Sequence, residues 1–317
     1  MKALVTGVAG FIGSHLATAL ADRGADVVGI DCFTDYYPRL FKDQNLASLR
    51  SRRNFRFTEA ALQTADLGTL LDGVTHVFHL AAQAGVRKSW GRDFATYTSQ
   101  NVDATQRLLE AVKHHRLDKL VYASSSSVYG DAVAMPMRED AVPQPVSPYG
   151  VTKLAAEHLC LLYHANYGVP AVALRYFTVY GPRQRPDMGF HRFLRAARAG
   201  EPITIYGDGE QTRDFTFVAD TVAATMAAGE RGRPGAVYNI GGGSRVSIND
   251  VLGLIGKVTG RALDIRREAP QKGDMRDTFA DSSRARAELG FAPSKPLEVG
   301  LAEESEWLAS VQLVSHS

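Results

Sequence analysis

The chain has 317 residues, 45% of them hydrophobic, and its 36 Lys and Arg nearly balance its 34 Asp and Glu for a formal net charge of +2. That is enough apolar material for one large domain or two modest ones, and it excludes a disordered or fibrous chain. The balanced charge gives no reason to expect nucleic acid or an acidic membrane surface as partner, and the arginines near 50–56 and 261–267 are expected to form solvated faces.

In chain order, Lys2 to Thr6 is a short apolar run that enters Gly7-Val8-Ala9-Gly10-Phe11-Ile12-Gly13 and then a helical pattern through Ala21. Met1 to Gly10 lacks the charged segment, long apolar stretch and cleavage site of a secretory leader, and no window reaches the roughly 20 apolar residues of a membrane span. A cytoplasmic protein is the expectation. Strand, glycine turn and helix together make a dinucleotide site: the turn lets the backbone approach a pyrophosphate, which the free amides at the helix N-terminus favour. Gly7, Gly10, Phe11, Ile12 and Gly13 are the expected contacts. A second strand, Asp26 to Ile30, ends at Asp31, placed to accept from an adenosine ribose. No Arg follows it directly, so the expected cofactor is NAD rather than NADP. The cysteines, Cys32 and Cys160, have neither metal spacing nor a pairing pattern, which fits a reducing compartment, and no metal site is expected.

Val74 to Leu80 reads as a strand leading into Ala81 and Ala82, and Lys119 to Ser124 as another that ends in the serine run Ser124 to Ser127. Helical stretches near 101–115 and 151–166 alternate with them. Such alternation predicts an α/β fold with a doubly wound parallel sheet, whose ligands lie at the carboxyl ends of the strands. Leu80, Ala81 and Ala82 should therefore face the cofactor.

Ser147-Pro148-Tyr149-Gly150-Val151-Thr152-Lys153 opens the second of those helices. Tyr149 and Lys153, four residues apart, share a helix face, and a nearby cation favours the phenolate and lowers the phenol's pKa. With the serines some twenty residues upstream, the constellation expected is Tyr149 as acid and base, Lys153 to tune it and hold ribose hydroxyls, and Ser125 to bind the reacting oxygen, with Ser126 and Ser127 beside it.

Past residue 177 the pattern turns to shorter helices and loops: a helix with a basic face over Phe190 to Ala199, a strand and turn over Ile203 to Gly209, a loop at Gly241 to Gly243, and a loose end from Val311 to Ser317. The domains expected are 1–177 for NAD, with later segments returning to it, and a smaller α/β domain, 178–317, for substrate.

The glycine turn, His79-Leu80-Ala81-Ala82, the serine run, Tyr149 with Lys153, Arg175 to Pro182, Arg213-Asp214-Phe215 and Gly273-Asp274-Met275-Arg276 resemble the extended short-chain dehydrogenase/reductases, in particular their nucleotide-sugar epimerase/dehydratase group. The resemblance spans nearly the whole chain and implies a two-domain Rossmann fold, tightly held NAD, a nucleoside diphosphate sugar as substrate and a homodimer paired through the helices near 101–115 and 151–166. It further implies that Arg213 and Arg276 clamp the diphosphate, with Arg192 as a lesser candidate, and that Ile203 to Tyr206 lies near the uracil. Dehydratases of the group carry Asp and Glu after the catalytic hydroxyl residue, and UDP-glucuronate decarboxylases keep the Glu. Here Ser126 and Ser127 stand there instead, and neither takes up a proton near neutral pH, which leaves C4 epimerisation as the expected reaction.

Asp35-Tyr36-Tyr37, Ala82 to Arg87 and Thr178 to Met188 look like the matching segments of UDP-glucuronate 4-epimerases. The resemblance implies a UDP-hexuronic acid as substrate, with Arg87 at the substrate and Arg185 and Thr178 on its carboxylate. A neutral-sugar 4-epimerase, a UDP-glucuronate decarboxylase and a non-catalytic NAD or nucleotide-sugar sensor are the competing readings. One departure from the group is Ala61-Leu62, where relatives place an acidic residue to read the adenine amino group.

Overall fold

The computed structural model describes residues 1–131 and 134–314. Its strands, in chain order, are β1 (Lys2–Thr6), β2 (Asp26–Asp31), β3 (Phe55–Glu59), β4 (His76–His79), β5 (Lys119–Ser125), β6 (Ala171–Tyr176), β7 (Thr178–Tyr180), β8 (Ile203–Tyr206), β9 (Thr212–Phe217), β10 (Val237–Ile240), β11 (Arg245–Ser247) and β12 (Ile265–Glu268). The helices are α1 (Phe11–Asp22), α2 (Arg39–Arg50), α3 (Leu67–Leu71), α4 (Phe94–Tyr97), α5 (Ala104–Val112), α6 (Pro148–Tyr167), α7 (Gly189–Ala199), α8 (Val218–Arg231), α9 (Ile248–Thr259), α10 (Ser283–Leu289) and α11 (Leu297–Val314).

Seven strands form one sheet in the order β10-β6-β5-β4-β1-β2-β3. Every pairing in it is parallel. Strands buried on both faces need apolar residues on both, and the pleat sorts them: Ala3 and Val5 pack with Leu16 and Leu20 of α1, while Leu4 joins Leu108 and Leu109 of α5 on the far side. In β5 the same alternation sends Val121 one way and Leu120 and Tyr122 the other. Each fully buried Val or Leu contributes about 1.5–3 kcal/mol, so the alternation pins the register of every strand. Because the strand order reverses between β1 and β4, a crevice opens at their carboxyl ends.

After β6 the chain builds a sheet of β11, β9 and β7 and a separate β12–β8 pair. It also returns to the first half, since β10 extends the large sheet and α8 packs against α1.

Several boundaries differ from the sequence expectation. The helix expected over 101–115 begins earlier and changes pitch: α4 runs through the π-helical stretch Thr98–Asp103, which carries the buried Asn101, into α5, which ends at Val112. Gly241 to Gly243 leads into the short strand β11 rather than directly into a helix. The loose end expected from Val311 is instead the last turn of α11 as far as Val314, and residues 315–317 lie outside the described part.

Candidate active site

The glycine turn is held so tightly that side chains are excluded. Gly7 has φ +70°, and a Cβ there would lie 2.8 Å from the Ala81 nitrogen; one on Gly13 would lie 2.2 Å from the Gly7 oxygen. The end of β4 is locked against this turn through His79. Thr105 gives its hydroxyl hydrogen to the Asn101 carbonyl (2.6 Å) and so accepts from His79 Nε2 (2.9 Å). His79 Nδ1 then accepts from Thr6 Oγ1 (2.7 Å), whose lone pairs receive the Leu80 and Ala81 N–H groups (3.1 and 3.0 Å). Burial pushes His79 down to about 3, so the neutral ring this chain needs is the form present.

A second polar chain joins that loop to the catalytic helix. Asn101 accepts from the Gln83 N–H (2.7 Å) and donates to Thr152 Oγ1 (2.9 Å), which donates to the Tyr149 carbonyl (2.9 Å). Ser147 caps α6 by accepting from the Gly150 N–H (3.1 Å), and Pro148 supplies the preset φ of a first helical turn. Gly150 lets α6 touch the serine turn, since a Cβ there would stand 2.4 Å from the Ser127 oxygen. Ser125 and Tyr149 meet as a result. Ser125 Oγ accepts from the Ser127 N–H (3.1 Å), which leaves its hydrogen to turn toward the Tyr149 phenol.

The electrostatics differ from the expectation that Lys153 lowers the Tyr149 pKa. Burial pushes the Tyr149 phenol up, and the groups opposing this are the Ser125 hydroxyl and the Arg185 cation. Lys153 is itself pulled down to about 8 by burial, against the pull of Cys160 and Glu157, with Nζ 4.5 Å from the centre of the Tyr122 ring. One turn further along α6, Glu157 holds Arg175 in a buried bidentate pair (2.6 and 3.0 Å) and accepts from Ser124 Oγ (2.6 Å).

These elements enclose a cleft of about 1130 Å³, counting its open mouth, lined among others by Gly7, Gly10, Phe11, Ile12, Gly13, Asp31, Leu80, Ala81, Ala82, Tyr149, Lys153 and Arg185. Every cofactor residue expected from the sequence lies on it. Asp31 accepts from the Ala9 and Phe33 N–H groups (3.1 and 2.9 Å) and keeps acceptor capacity toward the cleft, which suits ribose hydroxyls and repels a 2′-phosphate. Burial raises the Asp31 carboxyl, against the buried Lys42 beside it. In place of an acidic adenine reader, Ala60 and Leu62 wall the cleft on either side of Ala61, with the amide of Gln100 also on its lining. The close-packed glycine turn, the helix N-terminus and the acceptor at the second strand end fit NAD.

Ser126 and Ser127 are buried in the turn after β5 and do not line the cleft, and Ser125 reaches it only through Tyr149. Thr178, at the start of β7, Arg87, Arg192, Arg213 and Arg276 also lie off its lining. Three of those arginines converge on one loop: Arg87 pairs with Asp274 (2.7 Å), Arg213 donates to the Met275 and Arg276 carbonyls (2.7 and 3.1 Å), and Arg276 forks onto Asp208 (3.0 and 3.0 Å). Gly273 brings that loop to within van der Waals range of Ser147 at the head of α6. Arg87 also lies over the Tyr206 ring (4.3 Å). Arg192 has no ion-pair partner among the described residues and does not join them.

A glycine-gripped dinucleotide cleft at the switch point of a parallel sheet, with Tyr149 and Lys153 on its floor, defines a short-chain dehydrogenase/reductase type of enzyme. Residues 3–241 match the NAD dependent epimerase/dehydratase family, and the chain belongs to it. It is 45% identical over 98% of its length to an uncharacterized UDP-glucose epimerase of Bacillus subtilis, YtcB, covering 99% of that protein. It is 38% identical to the UDP-glucuronate 4-epimerase of Thermodesulfobacterium geofontis, covering 96% of this chain and 95% of that one. The structure superposes with a TM-score of 0.96 on the UDP-glucuronic acid 4-epimerase of Bacillus cereus in complex with UDP-glucuronic acid and NAD, at 46% identity over 98% of this chain and 100% of that one.

Proposed function

We propose that the protein is a UDP-glucuronate 4-epimerase, interconverting UDP-glucuronate and UDP-galacturonate through a 4-keto sugar without decarboxylation. The observation that carries this is Arg185 on the wall of the same cleft as Tyr149: a guanidinium beside the reacting phenol suits a sugar with a carboxylate next to C4. The family relatives bear names for both neutral and acidic sugars, and Arg185 on the cleft wall supports the acidic one.

Bound NAD supplies a hydride acceptor that becomes the donor again within each turnover. Tyr149 takes the proton of the 4-hydroxyl as C4 is oxidised and returns it after the keto sugar has turned its other face. Ser125 holds the reacting oxygen and, by donating to the phenol, favours the phenolate. Lys153 supplies a cation at the ribose. Ser126 and Ser127 put no carboxyl near C5, so nothing there drives elimination. Arg185, with Thr178, keeps the sugar carboxylate bond out of the perpendicular alignment with the carbonyl plane from which a β-keto acid loses carbon dioxide. Arg87, Arg213 and Arg276 bind the diphosphate by exchanging their protein acceptors for phosphate oxygens, and Arg192 adds a further cation in a lesser role.

In this reading residues 1–177, with β10 added to their sheet, carry NAD, and 178–317 carry the nucleotide sugar. Val151 and Leu162, exposed on the outer side of α6, suit pairing with a second copy in a homodimer, and a cytoplasmic location follows from the same reading. Incubation of purified protein with UDP-glucuronate and no added cofactor, followed by NMR of the products, tests it. UDP-galacturonate is the expected product. UDP-pentose would assign a decarboxylase, and turnover of UDP-glucose alone a neutral-sugar epimerase.

A further inference from the structure

Arg185 does not stand alone in the cleft. Its Nε and Nη2 donate to the two carboxylate oxygens of Asp187, each at 2.9 Å, and the two side chains keep only 20% and 28% of their surface exposed. Tyr36 donates to Asp187 Oδ2 (3.3 Å), and Tyr36 is itself wedged against Gly85, where a Cβ would stand 2.0 Å from the phenol oxygen. Burial opposes ionisation of Asp187, but Arg185 holds the carboxyl below its ordinary range, so the pair is charged on both sides. One edge of the guanidinium is thus occupied by the protein. Nη1 has no hydrogen-bond partner among the described residues, so the other edge remains for a ligand.

From this geometry we infer that Asp187 is the positioning residue for the substrate carboxylate: gripped on its Nε/Nη2 edge, Arg185 presents the Nη1 edge at a constant angle while the sugar ring turns. The inference rests on the uronate reading above. An arginine has several rotatable bonds and loses substantial entropy when it is fixed, so a bidentate internal partner supplies the preorganisation that a lone side chain lacks. The pair has little net charge. It orients a carboxylate through hydrogen-bond direction more than through bulk attraction, which suits an anchor that must let its ligand turn. When Arg185 is free to swing, the carboxylate bond can align with the C4 carbonyl π system. The C5–C6 bond then breaks, C6 departs as carbon dioxide, the bonding pair forms the C4 enolate and C5 takes a proton from water, leaving a UDP-4-keto-pentose that would become UDP-pentose on return of the hydride first taken from C4.

The test begins with the wild-type protein, where conversion of UDP-glucuronate to UDP-galacturonate decides the uronate reading by itself. Asp187→Asn keeps the size and loses the charged fork. Calorimetry is expected to find UDP-glucuronate bound about tenfold more weakly by this variant, with the affinity for UDP alone unchanged. Product NMR is expected to find UDP-pentose beside UDP-galacturonate. Tyr36→Phe, which removes only the donor behind Asp187, is expected to shift both readouts the same way by a smaller factor, and it decides the matter if Asp187→Asn does not fold. Wild-type affinity for UDP-glucuronate with UDP-galacturonate as sole product overturns the inference. So does an equal loss of affinity for UDP, since that would be a general loosening of the site, and so does tighter binding of UDP-glucuronate, since Asp187 would then be a competitor.

Discussion

The two regions that the proposed function assigns to cofactor and to substrate are built by opposite means. In the first the backbone dominates: Gly7 and Gly13 leave no room for side chains, and His79, Thr6 and Thr105 lock Leu80 and Ala81 behind them. In the second stand long cations, and each is already engaged by the protein: Arg185, on the cleft wall, by Asp187, and beyond that lining Arg87 by Asp274, Arg276 by Asp208, and Arg213 by backbone carbonyls. A cofactor kept through each catalytic cycle suits a rigid mould. A substrate that must enter, turn and leave suits donors whose partners can be exchanged.

Changes on the reacting groups should break this division most severely. Tyr149→Phe removes the acid/base group and is expected to lower kcat by about 10³-fold, within the usual span for general acid–base groups, while NAD still copurifies. Stopped assays on UDP-glucuronate and the absorbance of released cofactor check both parts. Next comes the mould itself. Gly13→Ala forces a methyl to within 2.2 Å of the Gly7 oxygen, and overpacking of this kind costs about 1–3 kcal/mol. Thermal unfolding should find a lower midpoint and little further stabilisation by added NAD, whereas UDP should still raise it.

On the substrate side the effects should be smaller and sensitive to salt. The side chain of Arg276 is 57% exposed and already paired, so Arg276→Ala is expected to weaken UDP binding by about tenfold at low ionic strength and by less at high salt. NAD binding should not change. A loss that ignored salt, or that reached the cofactor, would erase the contrast between the two sides.

The mildest test is acid stability. Burial pushes His79 down to about 3 and His15 to about 4, so below about pH 6.5 the unfolded chain takes up protons that the folded one refuses. Each histidine then removes up to about 1.4 kcal/mol per pH unit as the pH falls toward its folded value. Asp214, raised by burial to about 6, works in the opposite sense between that value and its ordinary one. The unfolding midpoint should fall from pH 6.5 downward, and His79→Gln should flatten the slope.

What could be read from the chain was whatever sits close together along it. Gly7 to Gly13, Asp31 at the end of β2, and Tyr149 with Lys153 are local spacings, and local geometry carried them to one cleft. The supports of those groups were hidden, because they join distant residues: Asn101 to Thr152, Gly150 to Ser127, Ser124 to Glu157. Asn101 sits in the π-helical stretch Thr98–Asp103, which no 3.6-residue pattern announces. The tuning of Tyr149 was misread for a related reason. Helical spacing places Lys153 one turn away, but burial and the stacking of Nζ on Tyr122 are tertiary facts, and the cation whose charge favours the phenolate, Arg185, comes from a loop 36 positions further along the chain. The arginines proposed for the diphosphate could be named by motif. Their pairing could not, since Arg87 and Asp274 are 187 positions apart.

The most direct test of the whole account is to follow UDP-glucuronate carrying deuterium at C4 through complete equilibration with the purified protein, with no cofactor added. Tyr149 working over a tightly gripped NAD, with the carboxylate held by Arg185, predicts UDP-galacturonate that retains the deuterium at C4, with no pentose. Deuterium lost to water, or a labelled UDP-pentose, would contradict it.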